Sequence, residues 1–208
     1  MAEVLDRMDV QIETFRSDKD PRYIFLTCYR MMTANMIHAV ECNEFHDPPW
    51  VNALLHRFAD YYFDALNGYE SSSDRVPRVW RVAFDATIKP QTDALQRLFL
   101  GVNAHINYDL VLTLVDVLQD QWGKLGTDGK SSRYQDHSHV NTVIARTIDA
   151  VQDEVLEKET PSLDIIDKGL GRLDEFLIAR LITRWRDQVW TNATRLMDAP
   201  DERVDTLR

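Results

Sequence analysis

The 208-residue chain is 44% hydrophobic and 28% charged, with 7 glycines, 7 prolines and a formal net charge of -10. This composition suits one globular domain with a sizeable core and argues against long disorder or a many-turned all-β fold. An acidic chain of pI about 5.0 repels phosphate backbones and anionic lipid surfaces, so neither nucleic acid nor membrane is an expected partner.

In chain order, Leu5, Met8, Ile12 and Phe15 recur at helical spacing and predict a helix over 3–16. "SDKDP" breaks the pattern, and Pro21 suits the first turn of a second helix, over about 21–43 and apolar on several sides. "FHDPP" ends it, and Asp47 before Pro48 opens a third helix over about 48–68. "NGYESSSD" reads as a loop, followed by a short helix over 77–88 and a long one over about 90–124 opened by Pro90. "GTDGKSS" is the clearest loop in the chain and a hinge or lid candidate. Helices over about 133–158 and 163–197 follow, separated by "ETPSLD", with Ser162 as N-cap. There is no β alternation and no repeat period. The expected fold is therefore all-α: a single-domain bundle of six to seven helices over 1–208, packed around a buried central helix at about 90–124. Residues 1–20 and 198–208 are expected to be only loosely attached.

Cys28 and Cys42 lack CxxC spacing, which fits a reducing compartment and gives neither a disulfide frame nor a zinc knuckle. The acidic start "MAEVLDRMDVQIETF" is unlike a signal peptide, and no run of 18 wholly apolar residues is expected to span a membrane. The expected location is cytoplasmic.

The central helix raises the functional question. "LFLGVNAHINYDLVLTLVD", residues 98–116, is apolar in every direction yet carries Asn103, His105, Asn107, Asp109 and Asp116. On an α-helical wheel His105, Asp109 and Asp116 fall within about 40° of one another, with Asp120 just beyond and Asn103 and Asn107 on the other side. Burying a carboxylate without a partner costs several kcal/mol or forces it to stay protonated. The offset must be an internal hydrogen bond, a cation or a wet binding site, and five polar residues in nineteen favour a site over a purely structural network. A cation is offered by the last helix. Its stripe Ile166, Leu170, Leu173, Leu177 and Leu181 leads to Arg184, which is expected to face Asp109 or Asp116 unless the stripe drifts and leaves it in solvent.

Other constellations are weaker. His56 and Asp60 repeat the His-x-x-x-D spacing of His105 and Asp109, and two such pairs could hold one metal ion, but they lie opposite an apolar face. In "YQDHSHVN", Asp136 and Asn141 are rim candidates, while His137 and His139 read as surface or rim. His38 and Glu41 form a single His-x-x-Glu, half of the pattern of di-iron bundles. Trp80, Trp122, Trp185 and Trp190 could wall a pocket or simply fill the core. No G-x-S-x-G, P-loop, dinucleotide fingerprint or H-E-x-x-H is present.

The run "GVNAHINYDL" resembles the hallmark Gly-[Ile/Val]-Asn-Ala-His-Ile-Asn-x-Asp-Leu of an uncharacterised bacterial all-helical family. "FHDPPWVNALLHRFADYYFDAL", "RYQDHSHVN" and "ARLITRWRDQVWTNATRL" are similar to further stretches of it, so the likeness covers roughly 30–196. The resemblance implies an all-helical fold and draws attention to Asn103, His105, Asn107 and Asp109; it brings no activity. H-x-x-x-D on a helix also resembles the zinc phospholipase C and P1 nuclease group, whose pattern continues Gln-Pro-x-His where this chain has "LVLTLVD".

The leading expectation is a small-molecule enzyme doing non-redox acid–base chemistry (isomerisation, cyclisation or hydrolysis) inside the bundle. His105 would be the acid or base, Asp109 its orienting group and Arg184 a clamp for a carboxylate or enolate. Asn103, Asn107, Asp116, Asp136 and Asn141 would bind substrate. No cofactor is expected. The alternatives are one divalent metal ion on His105 and Asp109, with His56 and Asp60 as further ligands, and a non-catalytic ligand-binding or interaction bundle. The expected partner is a small-molecule substrate, with a homodimer left open.

Overall fold

The computed structural model describes residues 2–151 and 163–199. In chain order these form α1 (Ala2–Ser17), α2 (Tyr23–Glu41), α3 (Pro48–Glu70), α4 (Arg78–Thr87), α5 (Ala94–Ala104), α6 (Leu110–Trp122), α7 (Thr127–Val151) and α8 (Leu163–Asp198). A π-helical turn, His105–Asp109, joins α5 to α6 into one rod, Ala94–Trp122. With the rod counted once there are seven helices, and no strand occurs among the described residues. The protein is a single all-α bundle around that rod. Ser162, residues 152–158 and the tail from 200 lie outside the described residues.

Helix boundaries follow local side chains. Asp47 accepts the Trp50 N–H at 3.0 Å with Pro48 in the first turn, as its sequence suggests. The central rod is opened not by Pro90 but by a capping box. Asp93 accepts the Gln96 N–H at 2.7 Å, and the Gln96 side chain accepts the Asp93 N–H at 3.3 Å. Helices α1, α2 and α3 end through Lys19, Asn43 and Ser72, each in the left-handed region at φ 55. In each case the following N–H reaches back to close the last turn: Asp20 to Phe15, Glu44 to Ala39 and Ser73 to Gly68.

Two expectations need correction here. "GTDGKSS" is no hinge, because α7 begins at Thr127, inside it. Lys130 lies 4.2 Å over the Trp122 ring, and Gly129 comes so close to Leu125 that a Cβ there would sit 3.0 Å from it. The segment thus folds back on the end of α6 as helix. The N-terminal segment is not loose either: Met8, Ile12 and Phe15 are buried, and Arg30 pairs with Asp9 at 2.8 Å.

Two apolar clusters make the core. Phe25, Tyr62, Trp80 and Leu98 belong to one, with α1 laid over it through Met8 and Phe15. Leu54, Leu110, Leu114, Val143 and Val189 belong to the other. The rod crosses between them: Ala104 packs in the first cluster and Ile106 in the second. The π turn sits on this seam. By length and composition alone the rod could cross a membrane, with a mean hydropathy of 1.4, but 56% of that window is buried inside the bundle. Here its apolarity serves the core.

Candidate functional site

The π turn assembles the polar centre. Leu110 N–H reaches back five residues to the His105 carbonyl, widening the helix by one residue. Within that turn His105 Nδ1 lies 2.8 Å from Asp109 Oδ2. From α4, Trp80 Nε1–H donates to both Asp109 oxygens, at 3.0 and 2.9 Å. His105 is 4% exposed and Asp109 1%. Asp109 is thus an acceptor for two neighbours, which assigns the proton to Nδ1 and leaves a lone pair on Nε2. That Nε2 is buried and has no hydrogen-bond partner among the described residues. Burial holds the imidazole below its ordinary range, against the pull of Asp109, so it is neutral near neutral pH. Burial pushes the Asp109 carboxyl up, while the hydrogen bonds from His105 and Trp80 hold it down.

An aromatic cage fixes the ring. Phe58 stacks on His105 with centroids 3.5 Å apart and planes 8° from parallel, and Tyr29 meets it edge-on at 4.3 Å. Phe25 touches it at 5.9 Å. Phe25 itself fits only because Gly101 carries no side chain, since a Cβ there would overlap its ring.

His105 lines a cavity of about 170 Å³ between α2, α3, α5, α7 and α8. Its walls are almost wholly apolar, with Phe25, Met36, Leu54, Phe58, Ile144 and Ile182 among them. The polar groups on the wall are few. Thr33 Oγ1–H is spent on the Tyr29 carbonyl at 2.8 Å. Burial pushes the Cys28 thiol up to about 12, which removes it as a nucleophile near neutral pH. Among the described residues Tyr29, whose hydroxyl burial holds protonated, His105 and Arg186 remain.

Arg186, on α8, is 4% exposed. Its Nε–H donates to Asn141 Oδ1 at 2.8 Å and one Nη2–H to the His137 carbonyl at 2.7 Å. His137 lies 3.0 Å from the Arg186 carbonyl through Nε2 and 3.4 Å from Arg186 Nη2 through Nδ1. A carbonyl only accepts, so the His137 proton is on Nε2 and Nδ1 faces the guanidinium as an acceptor. Burial, with the Arg186 charge behind it, pushes His137 well below its ordinary range. Among the described residues no carboxylate is within salt-bridge distance of Arg186. Burial lowers its pKa to about 10, which still leaves it charged.

The other sequence candidates are elsewhere. Arg184 is exposed and faces neither Asp109 nor Asp116. Its proposed stripe is on the outside, with Leu177 and Leu181 56% and 38% exposed; the side chains of Ile166, Leu170 and Leu173 lie outside those described. The buried stripe runs one position on, through Ile182, Arg186, Val189 and Ala193. Asp116 is at the surface with Arg57 at 2.7 Å and the Tyr61 hydroxyl at 2.7 Å. The wheel misplaced it because the extra residue of the π turn rotates everything beyond by about 100°. Asn103 and Asn107 are exposed and bond to each other at 2.9 Å. Asp136 is buried, but it ties down the loop before α3 by accepting the His46 and Asp47 N–H groups at 2.7 and 2.9 Å. Asn141 comes to the site only through Arg186.

His137, read as surface or rim, is 1% exposed. His139 pairs with Glu44 at 3.1 Å, and Asp60 with Arg7 at 3.3 Å. His38 and Glu41 are exposed, and Arg30 is taken by Asp9. No tryptophan lines the cavity. Among the described residues no three His, Cys, Asp or Glu side chains are grouped to hold a metal ion, so His56 and Asp60 do not join His105 and Asp109. Trp80 as partner of Asp109 and Arg186 as the buried cation are the groups sequence reasoning missed. The spacing Ile178, Ile182, Arg186, Val189, Ala193 carries the signal for the second; nothing local signals the first.

Fold and site together define a helical bundle with a caged His–Asp pair at a π turn and an interior cavity. The chain belongs to the family of unknown function DUF5995, whose model matches residues 1–208. No curated protein and no solved structure matches it, and the fainter likeness to the zinc phospholipase C and P1 nuclease group finds no support.

Proposed function

We propose that this protein is a small-molecule enzyme that moves a proton on an apolar substrate held in the interior cavity, with His105 as the base. One observation carries the reading: Nε2 of His105 is a buried lone pair, unpartnered among the described residues, on a ring whose other nitrogen is held by Asp109. An orphaned polar atom inside a protein costs free energy, and a substrate C–H or O–H would relieve it. Burial keeps the imidazole neutral and so ready to accept a proton, and Asp109 stabilises the imidazolium that forms. Asp109 is in turn oriented by Trp80. Proton transfer is the step common to isomerisation, cyclisation and hydrolysis.

The test needs no known substrate. Small apolar ketones and carboxylic acids are incubated with the protein in heavy water, and exchange of C–H for C–D is followed by NMR. Exchange with wild type and its loss in His105→Gln is the expected result. No exchange by any compound, with the His105 Nε2 found protonated by nitrogen NMR, overturns it. A second reading, a binding bundle without catalysis, is favoured by the nearly unbroken apolar wall of the cavity. Compounds that bind without exchanging would select it.

A further inference from the structure

Arg186 is the charged group on the described cavity wall that the proposed proton transfer does not use. It is charged, buried and held from behind: Asn141 takes Nε–H and the His137 carbonyl takes one Nη2–H. Nη1 has no partner among the described residues, and no carboxylate there is within ion-pair distance; exposed Asp187, next in the chain, offsets burial only in part. A guanidinium in a low-dielectric interior without an anion is strongly unfavourable, and an arginine fork is built for a carboxylate. The space it borders is apolar, and at about 170 Å³ it exceeds the voids that native interiors hold by chance. An engineered hole of about 150 Å³ admits benzene.

We propose that the cavity binds a small apolar monocarboxylate, of roughly six to ten non-hydrogen atoms, with its carboxylate on Arg186 and its hydrocarbon body among Met36, Leu54, Ile144 and Ile182. This deepens the reading above and rests on it for the cavity, though not for the chemistry. A single guanidinium balances a single negative charge, so a phosphate dianion is disfavoured. The apolar walls offer no second cation among the described residues. A charged group and a basic ring on one largely apolar wall suit a ligand with one charged end and one reactive position. Arg186 would fix the first, and His105 lines the wall beside the second.

The test uses benzoate and hexanoate beside their uncharged counterparts, benzyl alcohol and hexanol, with calorimetry and thermal melting on the whole chain. The carboxylates are expected to bind at least tenfold more tightly than the alcohols and to raise the melting temperature in proportion to ligand excess. Arg186→Met should weaken the carboxylates at least tenfold and leave the alcohols unchanged, which also proves the variant folded. Arg186→Lys should fall between, because it keeps the charge and loses the fork. Arg184→Met, an exposed arginine two residues away and outside the cavity wall, should bind carboxylates like wild type. Equal binding of acids and alcohols, or no effect of Arg186→Met, overturns the carboxylate assignment and leaves the cavity standing. If none of the four probes binds, the cavity reading falls with it. Carboxylate binding without proton exchange keeps this inference and removes the enzyme.

Discussion

His105 and His137 are both buried and neutral, and both sit beside a charged group, yet the two regions are built in opposite ways. Around His105 the charge is a carboxylate, and Asp109 receives donors from His105 and Trp80. Around His137 the charge is the guanidinium of Arg186, which receives backbone and amide acceptors but, among the described residues, no paired anion. The first region is complete apart from one lone pair. The second is complete in geometry and unbalanced in charge. A region balanced within itself contributes to stability, whereas an unbalanced one that borders a cavity costs stability until a ligand arrives. Removing the charge should therefore have very different effects in the two places.

The largest expected effect is Asp109→Leu. It strands Trp80 Nε1–H and His105 Nδ1–H in the core and should cost about 3–5 kcal/mol in urea unfolding. A loss below about 1 kcal/mol would mean those donors find other partners and the pair is not balanced as described. Next comes Gly101→Ala, which drives a methyl into the Phe25 ring. It should cost about 1–3 kcal/mol and weaken binding of neutral probes, because Phe25 is also a cavity wall.

The pH dependence is smaller and shared by both regions. His105 and His137 have folded pKa values below the ordinary histidine value. The unfolded chain therefore takes up protons at about pH 6.5 that the folded chain refuses. Their contribution to stability is full above that pH and is lost as the pH falls through it toward the folded values. Asp109, pushed up by burial, acts with the opposite sign, from the ordinary carboxylate value upward. Denaturation followed from about pH 8 to 5 should show stability falling with pH, and His137→Gln should flatten most of the slope, since His137 is shifted further. A flat profile in the wild type would show that both rings protonate freely. Smallest is Arg186→Met in the ligand-free protein. The lost bonds to Asn141 and His137 are offset by removal of an unpaired charge, so the change should stay within about 1 kcal/mol. A loss comparable to that of Asp109→Leu would mean Arg186 is a structural group.

The helical architecture was readable because it depends on near neighbours in the chain. Apolar spacing, Asp47 with Pro48 and the absence of β alternation each act over a few residues. Where a boundary was misread the competing signal was local too, as with Asp93 and Gln96 taking the cap that Pro90 suggested. "GTDGKSS" was misread because its composition favours a loop while contacts with Trp122 and Leu125 make it helix. The pairing of His105 with Asp109 was legible for the same local reason, being four residues apart on one helix.

The rest of the site depends on which faces meet, and a helical wheel holds that only while the helix stays regular. The π turn broke the regularity, rotating Asp116 out to Arg57. On α8 two neighbouring stripes were both apolar enough, and packing against α6 and α7 chose the one with Arg186 over the one with Arg184. Sequence alone determined that this chain is a helical bundle with polar groups at its centre, since burial of apolar faces and helix capping are local demands. Only the tertiary structure decided that Trp80 meets Asp109 and that, among the described residues, His105 keeps a free nitrogen and Arg186 turns inward without a paired anion. Those facts depend on how distant helices are rotated against one another, and that rotation is set by the fit of whole surfaces.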